Sequence, residues 1–218
     1  MLKKTVTLAA LSDDADGIVE LVTLSGGGLQ SYILDGALVT GGIATLGAGQ
    51  IAVCTCTGDE TARTFTVSGT DVDAVVISEE LTGVNATTVK TTINFKTITG
   101  ITSDANTVNT VSFGTLAADL GYSATIDVHH RRGQAVDDTI WLDIAGTMAV
   151  TVEITDDRNS GIFADSRAIS GYWVDHASFT AISADKVAKN ILGCFGYRLI
   201  YTAFTSGSVE LAVLTTTD

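Results

Sequence analysis

Residues 64–115 read TFTVSGTDVDAVVISEELTGVNATTVKTTINFKTITGITSDANTVNTVSFGT. Short runs rich in Val, Ile, Thr and Phe alternate with Gly, Asn and Asp. Branched and aromatic side chains suit the pleated, half-buried surface of a sheet, and small polar residues suit the turns between strands. The pattern predicts antiparallel strands near 64–68, 74–81, 87–97 and 107–113, turning at Val84-Asn85-Ala86 and Asp104-Ala105-Asn106. The stretch holds no His and no Cys, and no nucleophile stands beside a plausible base. It reads as part of a protein that assembles, not one that reacts.

The flanks extend the same reading. Residues 1–50 are Gly-rich and apolar, with short pieces such as SYILDGALVTGGIATLGAGQ at 31–50. They predict an Asp-rich turn over Ser12 to Gly17, a strand over Ile18 to Leu24, a flexible turn over Ser25 to Gly28, and an arm able to reach a neighbour. In TMAVTVEIT (147–155), Met148, Val150, Val152 and Ile154 share one face, which predicts a strand. Trp141 to Ile144 reads as its hairpin partner across Ala145-Gly146, and 196–204 with 209–214 as a hairpin turning at Ser206-Gly207. Ala184 to Leu192 is the helix candidate, capped by Ser183. The expected fold is all-β: two linked antiparallel β-sandwich or barrel-like units, 1–118 and 119–218, the first with a Gly-rich N-terminal arm.

Composition narrows the function classes. The chain has 218 residues, 45% hydrophobic and 17% charged, which is too apolar for disorder and suggests surface buried between copies. Its net charge is −13 and no basic stripe exists, so the phosphate neutralisation behind nucleic-acid binding is missing. The same charge opposes anionic membranes, and no apolar run of about 18 residues marks a span. The three cysteines, Cys54, Cys56 and Cys194, are too few and too uneven for a disulfide scaffold. The Met1-Leu2-Lys3-Lys4 start is like a signal peptide, but Thr5 and Thr7 interrupt the apolar run, and a first strand is expected instead. Proline is absent, so strand edges need another safeguard, such as pairing with a neighbouring copy.

Several pieces in order resemble a family of tailed-phage virion proteins. They are Asp16-Gly17-Ile18, LDGALVTGGIATL (34–46), TGDETARTFTVSGTD (57–71), SEELTGVNATTV (78–89), FKTITGI (95–101) and NTVSFGT (109–115). TIWLDIAGTMAVTVEITDD (139–157) resembles that family's second β unit more loosely. The resemblance implies a structural part of the phage particle that is no enzyme and needs no cofactor. The expected role is a capsid decoration protein, a homo-oligomer bound to other virion proteins, the major capsid protein first. A tail, connector or spike component, and a carbohydrate-binding adhesion module, are the alternatives.

The candidate chemistry is sparse. His129-His130-Arg131-Arg132 is the polar cluster that stands out. Neighbouring strand residues face opposite sides, so the two histidines are poorly placed for one ion, and a salt bridge to an acidic neighbour suits them better. Cys54 and Cys56 share a strand face and, with His129 or His176, would make a zinc site of unusual spacing; packed thiols fit better. The acids at 13, 14 and 16 fail as a calcium loop because the twelfth position from Ser12 is Thr23. Ser183-Ala184-Asp185-Lys186 matches S-x-x-K without the companion motifs, and the Asn85-Ala86-Thr87 sequon has meaning only on a secretory route. Trp141, Tyr172, Trp173, Phe195, Tyr197 and Tyr201 are assigned to core packing, with Trp173 kept as a candidate contact residue.

Overall fold

The computed structural model describes residues 2–116, 121–123, 126–127, 138–155, 174–190 and 196–215. Among them the chain is all-β, without a helix, and the strands pair antiparallel throughout. It divides into two compact units, 11–121 and the pair of segments Met1–Ala10 and Tyr122–Asp218. The first strand, β1 (Leu2–Leu8), therefore belongs with the C-terminal half, whereas the sequence pattern places it with the N-terminal unit.

The unit of residues 11–121 contains β2 (Asp14–Val22), β3 (Gln30–Ser31), β4 (Val39–Thr40), β5 (Ile43–Gln50) and β6 (Val53–Cys56). It continues with β7 (Thr64–Thr70), β8 (Val76–Thr82), β9 (Thr88–Lys90), β10 (Phe95–Ser103) and β11 (Val111–Thr115). One sheet runs β4-β5-β10-β7-β8, with β3 also on β10; the other runs β2-β11-β6-β9. The two layers share one core. In β7 the side chains alternate, so Phe65 and Val67 point inward and Thr66 and Ser68 outward. Phe65 meets Phe113 of the facing sheet edge-on at 5.7 Å between ring centroids, and Tyr32 closes the trio at 5.3 Å from Phe113. Quadrupoles favour such tilted pairs over stacked ones. The expected strand at 87–97 is two strands, β9 in one sheet and β10 in the other, and between them the amides of Thr92 and Ile93 bond the Glu79 carboxylate in place of a ladder.

Among the described residues the other unit forms one six-stranded sheet of β1, β12 (Ile126–Asp127), β13 (Asp138–Thr155), β14 (Val174–Asp175), β15 (Lys186–Asn190) and β16 (Gly196–Thr215). Two expected hairpins are absent. β13 and β16 are long, continuous strands that pair with each other from end to end. Gly146 and Gly207, read as turns, sit opposite each other on one rung with φ of 137° and 103°. Both strands leave the ordinary extended conformation at this rung, which is where a bend enters a ladder. Two register shifts follow, at Thr147/Met148 and Ala149/Val150. One extra residue would turn the inward set outward, and a second restores it. Ile140, Leu142, Val209 and Leu211 on one side of the bend, and Val150, Val152, Leu199 and Tyr201 on the other, are accordingly all buried. The expected helix over 184–192 is also corrected. Residues 186–190 are β15, paired to β13 with Val187 opposite Trp141. Ser183-Ala184-Asp185 is its approach, not a helix cap; Asp185 accepts a hydrogen bond from Ile144 N at 2.8 Å.

β1 is held at the edge by more than its ladder. The buried Tyr201 hydroxyl reaches Leu8 O at 3.1 Å and Ala9 O at 2.9 Å, sharing its proton between them. Burial pushes this phenol up from 10.0 to about 12. Its contribution to stability is therefore complete below the ordinary value and is lost as the pH climbs toward the raised one. Tyr201→Phe is expected to cost about 1 kcal/mol at neutral pH and to flatten the alkaline fall in stability. Amide exchange of β1 measured across that interval compares the two proteins; parallel curves would clear Tyr201 of the effect.

Candidate functional site

The cluster His129, His130, Arg131 and Arg132, and Trp173, lie outside the described residues, as do Tyr172 and Phe195. Two other places gather chemistry, one in each unit.

The first is buried in the sandwich. β6 lies between β11 and β9, so Cys54 and Cys56 both face the core, their sulfurs 4.0 Å apart. Contact with the Cys56 sulfur, and burial after it, push the Cys54 thiol up; the same contact holds Cys56 down, to about 7. The two sulfurs thus share protons as a pair, and both are shielded. Nearby is Glu60, almost wholly buried. Its Oε1 accepts from Val108 N at 2.8 Å, Asn109 N at 2.5 Å and Asn109 Nδ2 at 3.3 Å. Glu60 Oε2 and the Tyr32 hydroxyl are buried without a hydrogen-bond partner. Burial raises the Tyr32 phenol first, and the neighbouring Cys54, Glu60 and Cys56 raise it further. Among the described residues no group of three or more His, Cys, Asp or Glu is placed to hold a metal ion. An open cleft of about 450 Å³ lies over Asp59 to Arg63, Val108 and Asn109. Its polar groups already serve one another: Asp59 accepts from Thr61 N and Oγ1, and Arg63 Nε donates to Asn106 O. The acids at 14 and 16 open the strand β2 instead of forming a separate turn.

The second place is the outer face of the sheet that holds β1. Ile140 and Leu142 point into the core, so Trp141 between them points out. Trp141 is 53% exposed, against the sequence expectation that it packs in the core, whereas Tyr197 and Tyr201 are buried as expected. Val187 stands directly opposite Trp141 and is 55% exposed. The registers put three rows across β1, β16, β13 and β15. The middle row is uncharged: Thr5, Ala212, Trp141 and Val187, of which Ala212 is buried and Trp141 and Val187 are the large apolar side chains that reach solvent. On one side of it lie Lys3, Leu214 and Thr139. On the other lie Thr7, Glu210 and Asp143, with Asp185 beside Ile144. Alternation in DTIWLDI (138–144) is the sequence signal for this face.

No family model matches the chain, and no curated protein matches it. Among solved structures, allantoicase from Saccharomyces cerevisiae aligns at 12% identity over 96% of this chain and 89% of its own, with a TM-score of 0.23. A second allantoicase structure aligns at 11% identity over the same shares, with a TM-score of 0.27. The major capsid protein P2 of bacteriophage PM2 aligns at 9% identity over 98% of this chain and 97% of its own, with a TM-score of 0.17. Scores this low carry no argument about fold or function.

Proposed function

We propose that this chain is a structural protein of a tailed-phage virion, and specifically a capsid decoration protein that reinforces the head by protein–protein contacts. What supports this is the ordered resemblance through residues 16–115 and, above all, the exposed Trp141–Val187 pair on the outer face of the sheet. Large apolar side chains standing together in water mark a surface meant to be covered. Proteins docked where capsomers meet bury such surface and resist outward pressure from packaged DNA. In this reading the chain is non-catalytic, needs no cofactor, is made in the host cytoplasm and works in the particle. Its partners are the major capsid protein and other copies of itself, and its acidic surface keeps it off the genome and off membranes.

The test mixes purified protein with empty heads and, separately, with isolated tails, and follows co-sedimentation. Saturable binding to heads is the expected result. Binding to tails alone moves the protein to the tail or connector. Failure to bind either, together with turnover of a host polysaccharide, ends the structural reading. A second reading, a carbohydrate-binding adhesion module, is favoured by the exposed indole of Trp141, since a flat aromatic face can stack on a sugar. Glycan-array binding lost in Trp141→Ala would support it.

A further inference from the structure

We propose that the outer face of β1, β16, β13 and β15 binds a second copy of the same face, as a two-fold dimer with sheets stacked face to face. The proposal deepens the assembly reading and rests on it for its biological purpose, while its geometry stands on the strand registers alone.

The order of the rows selects the occupant. Lys3 marks one flank, the Trp141–Val187 row the middle, and Glu210 with Asp143 the other flank. A two-fold axis can lie in the contact plane in two simple ways. If it runs along the strands, each acidic row lands on its own copy, and like charges face each other. If it runs across the strands, along the middle row, each flank lands on the opposite one. Trp141 then meets the partner copy's own Trp141 and Val187, while Lys3 falls within one strand spacing, about 5 Å, of the Glu210 column on the other copy. The two acidic rows come to lie about 13 Å apart along the strands, beyond the screening length of about 8 Å at physiological salt. Attraction and relief of repulsion thus agree on one orientation, and a two-fold contact repeats each of them. Large exposed aromatics near the centre of a contact carry most of its energy.

Edge pairing, the other route to a sheet dimer, is guarded. Lys4 on β1 occupies the inward side of the edge strand, opposite Val213, and is half-buried; a charge turned inward at an edge opposes addition of another strand. The outer face carries no charged residue in its middle row.

The experiment is sedimentation equilibrium of the full chain in the absence of any virion component. The expected result is a concentration-dependent dimer with a dissociation constant on the order of 1–100 μM. Trp141→Glu should weaken it at least about tenfold, a loss of about 1.4 kcal/mol, with the melting temperature little changed when both proteins are compared at concentrations too low for the dimer to form. Lys3→Glu should weaken it too, and Lys3→Glu with Glu210→Lys should recover it; this swap keeps the test alive if the Trp141 variant misfolds. A monomer at all accessible concentrations overturns the proposal, as does a dimer indifferent to both Trp141→Glu and the charge swap. A wild-type dimer with the expected sensitivities that ignores empty heads and tails leaves this inference standing and removes the virion reading. A monomer that still coats empty heads does the reverse.

Discussion

Gly207→Ala is expected to destabilise the sheet built by β1 and residues 122–218 by about 3 kcal/mol or more. Two costs act at once. The φ of Gly207 is 103°, where an L side chain is strained. A Cβ there would also overlap Ala145 O and come within 2.7 Å of the Gly146 Cα. Gly146 faces the mirror problem, with Ser206 O and, at 2.7 Å, the Gly207 Cα against its own Cβ. The offending atoms are all backbone, so nothing flexible can swing aside. Gly41→Ala separates the two costs. Gly41 has a φ of 61° and open space to 4 Å around the point where an alanine methyl would stand, so it should lose only about 1 kcal/mol. Urea unfolding followed by amide exchange in β13 and β16 reads both variants. If Gly207→Ala costs no more than Gly41→Ala, the glycine rung is not what shapes the bend.

That rung also explains where the sequence misleads. A lone Gly between two apolar runs is a fair turn signal, and both 145–146 and 206–207 carry one. What cannot be read locally is that the two signals face each other across a ladder of long range, Gly146 on Gly207, so that two would-be hairpins become one bent ribbon. β1 shows the same difficulty. LKKTVTL is legible as a strand, yet its partner is the last strand of the chain, and nothing local names it. β15 is hidden by propensity, since Ala and Lys favour helix while its pairing with β13 decides otherwise. By contrast, β7 and β8 are close to legible, because alternation, β-branching and turn residues point the same way there, whereas β10 and β11 each start later than the pattern places them.

The candidate site is less legible. Period two places Cys54 and Cys56 on one face, and their sulfurs do touch. The same rule applied to Ile140, Trp141 and Leu142 sends the indole outward; its size alone argues for the core. Glu60 gives no sign at all. In TGDETAR (57–63) it looks like one more polar loop residue, and its burial is a property of the loop folding back on residues 106–109.

Glu60 accordingly carries the second large effect: Glu60→Ala is expected to cost the sandwich about 3 kcal/mol, and Glu60→Gln no more than about 1 kcal/mol. Oε1 alone takes the amides of Val108 and Asn109, which lead directly into β11. Removing it leaves two donors to find water through the open cleft, each at a cost of about 1–3 kcal/mol, partly relieved by that access. Gln keeps an oxygen at the same reach. Oε2, the atom it replaces with an amide nitrogen, has no hydrogen bond to lose. Arg63 Nε still ties Asn106 O in both variants, so the loop loosens at its far end and stays pinned at its near one. Amide exchange should therefore quicken first at residues 108–111 in Glu60→Ala, before the Phe65–Phe113 contact in the core is disturbed. Equal losses for the Ala and Gln variants in urea titration would show that the carboxyl's contribution lies in its burial beside Tyr32 and the thiols, and not in clamping this loop.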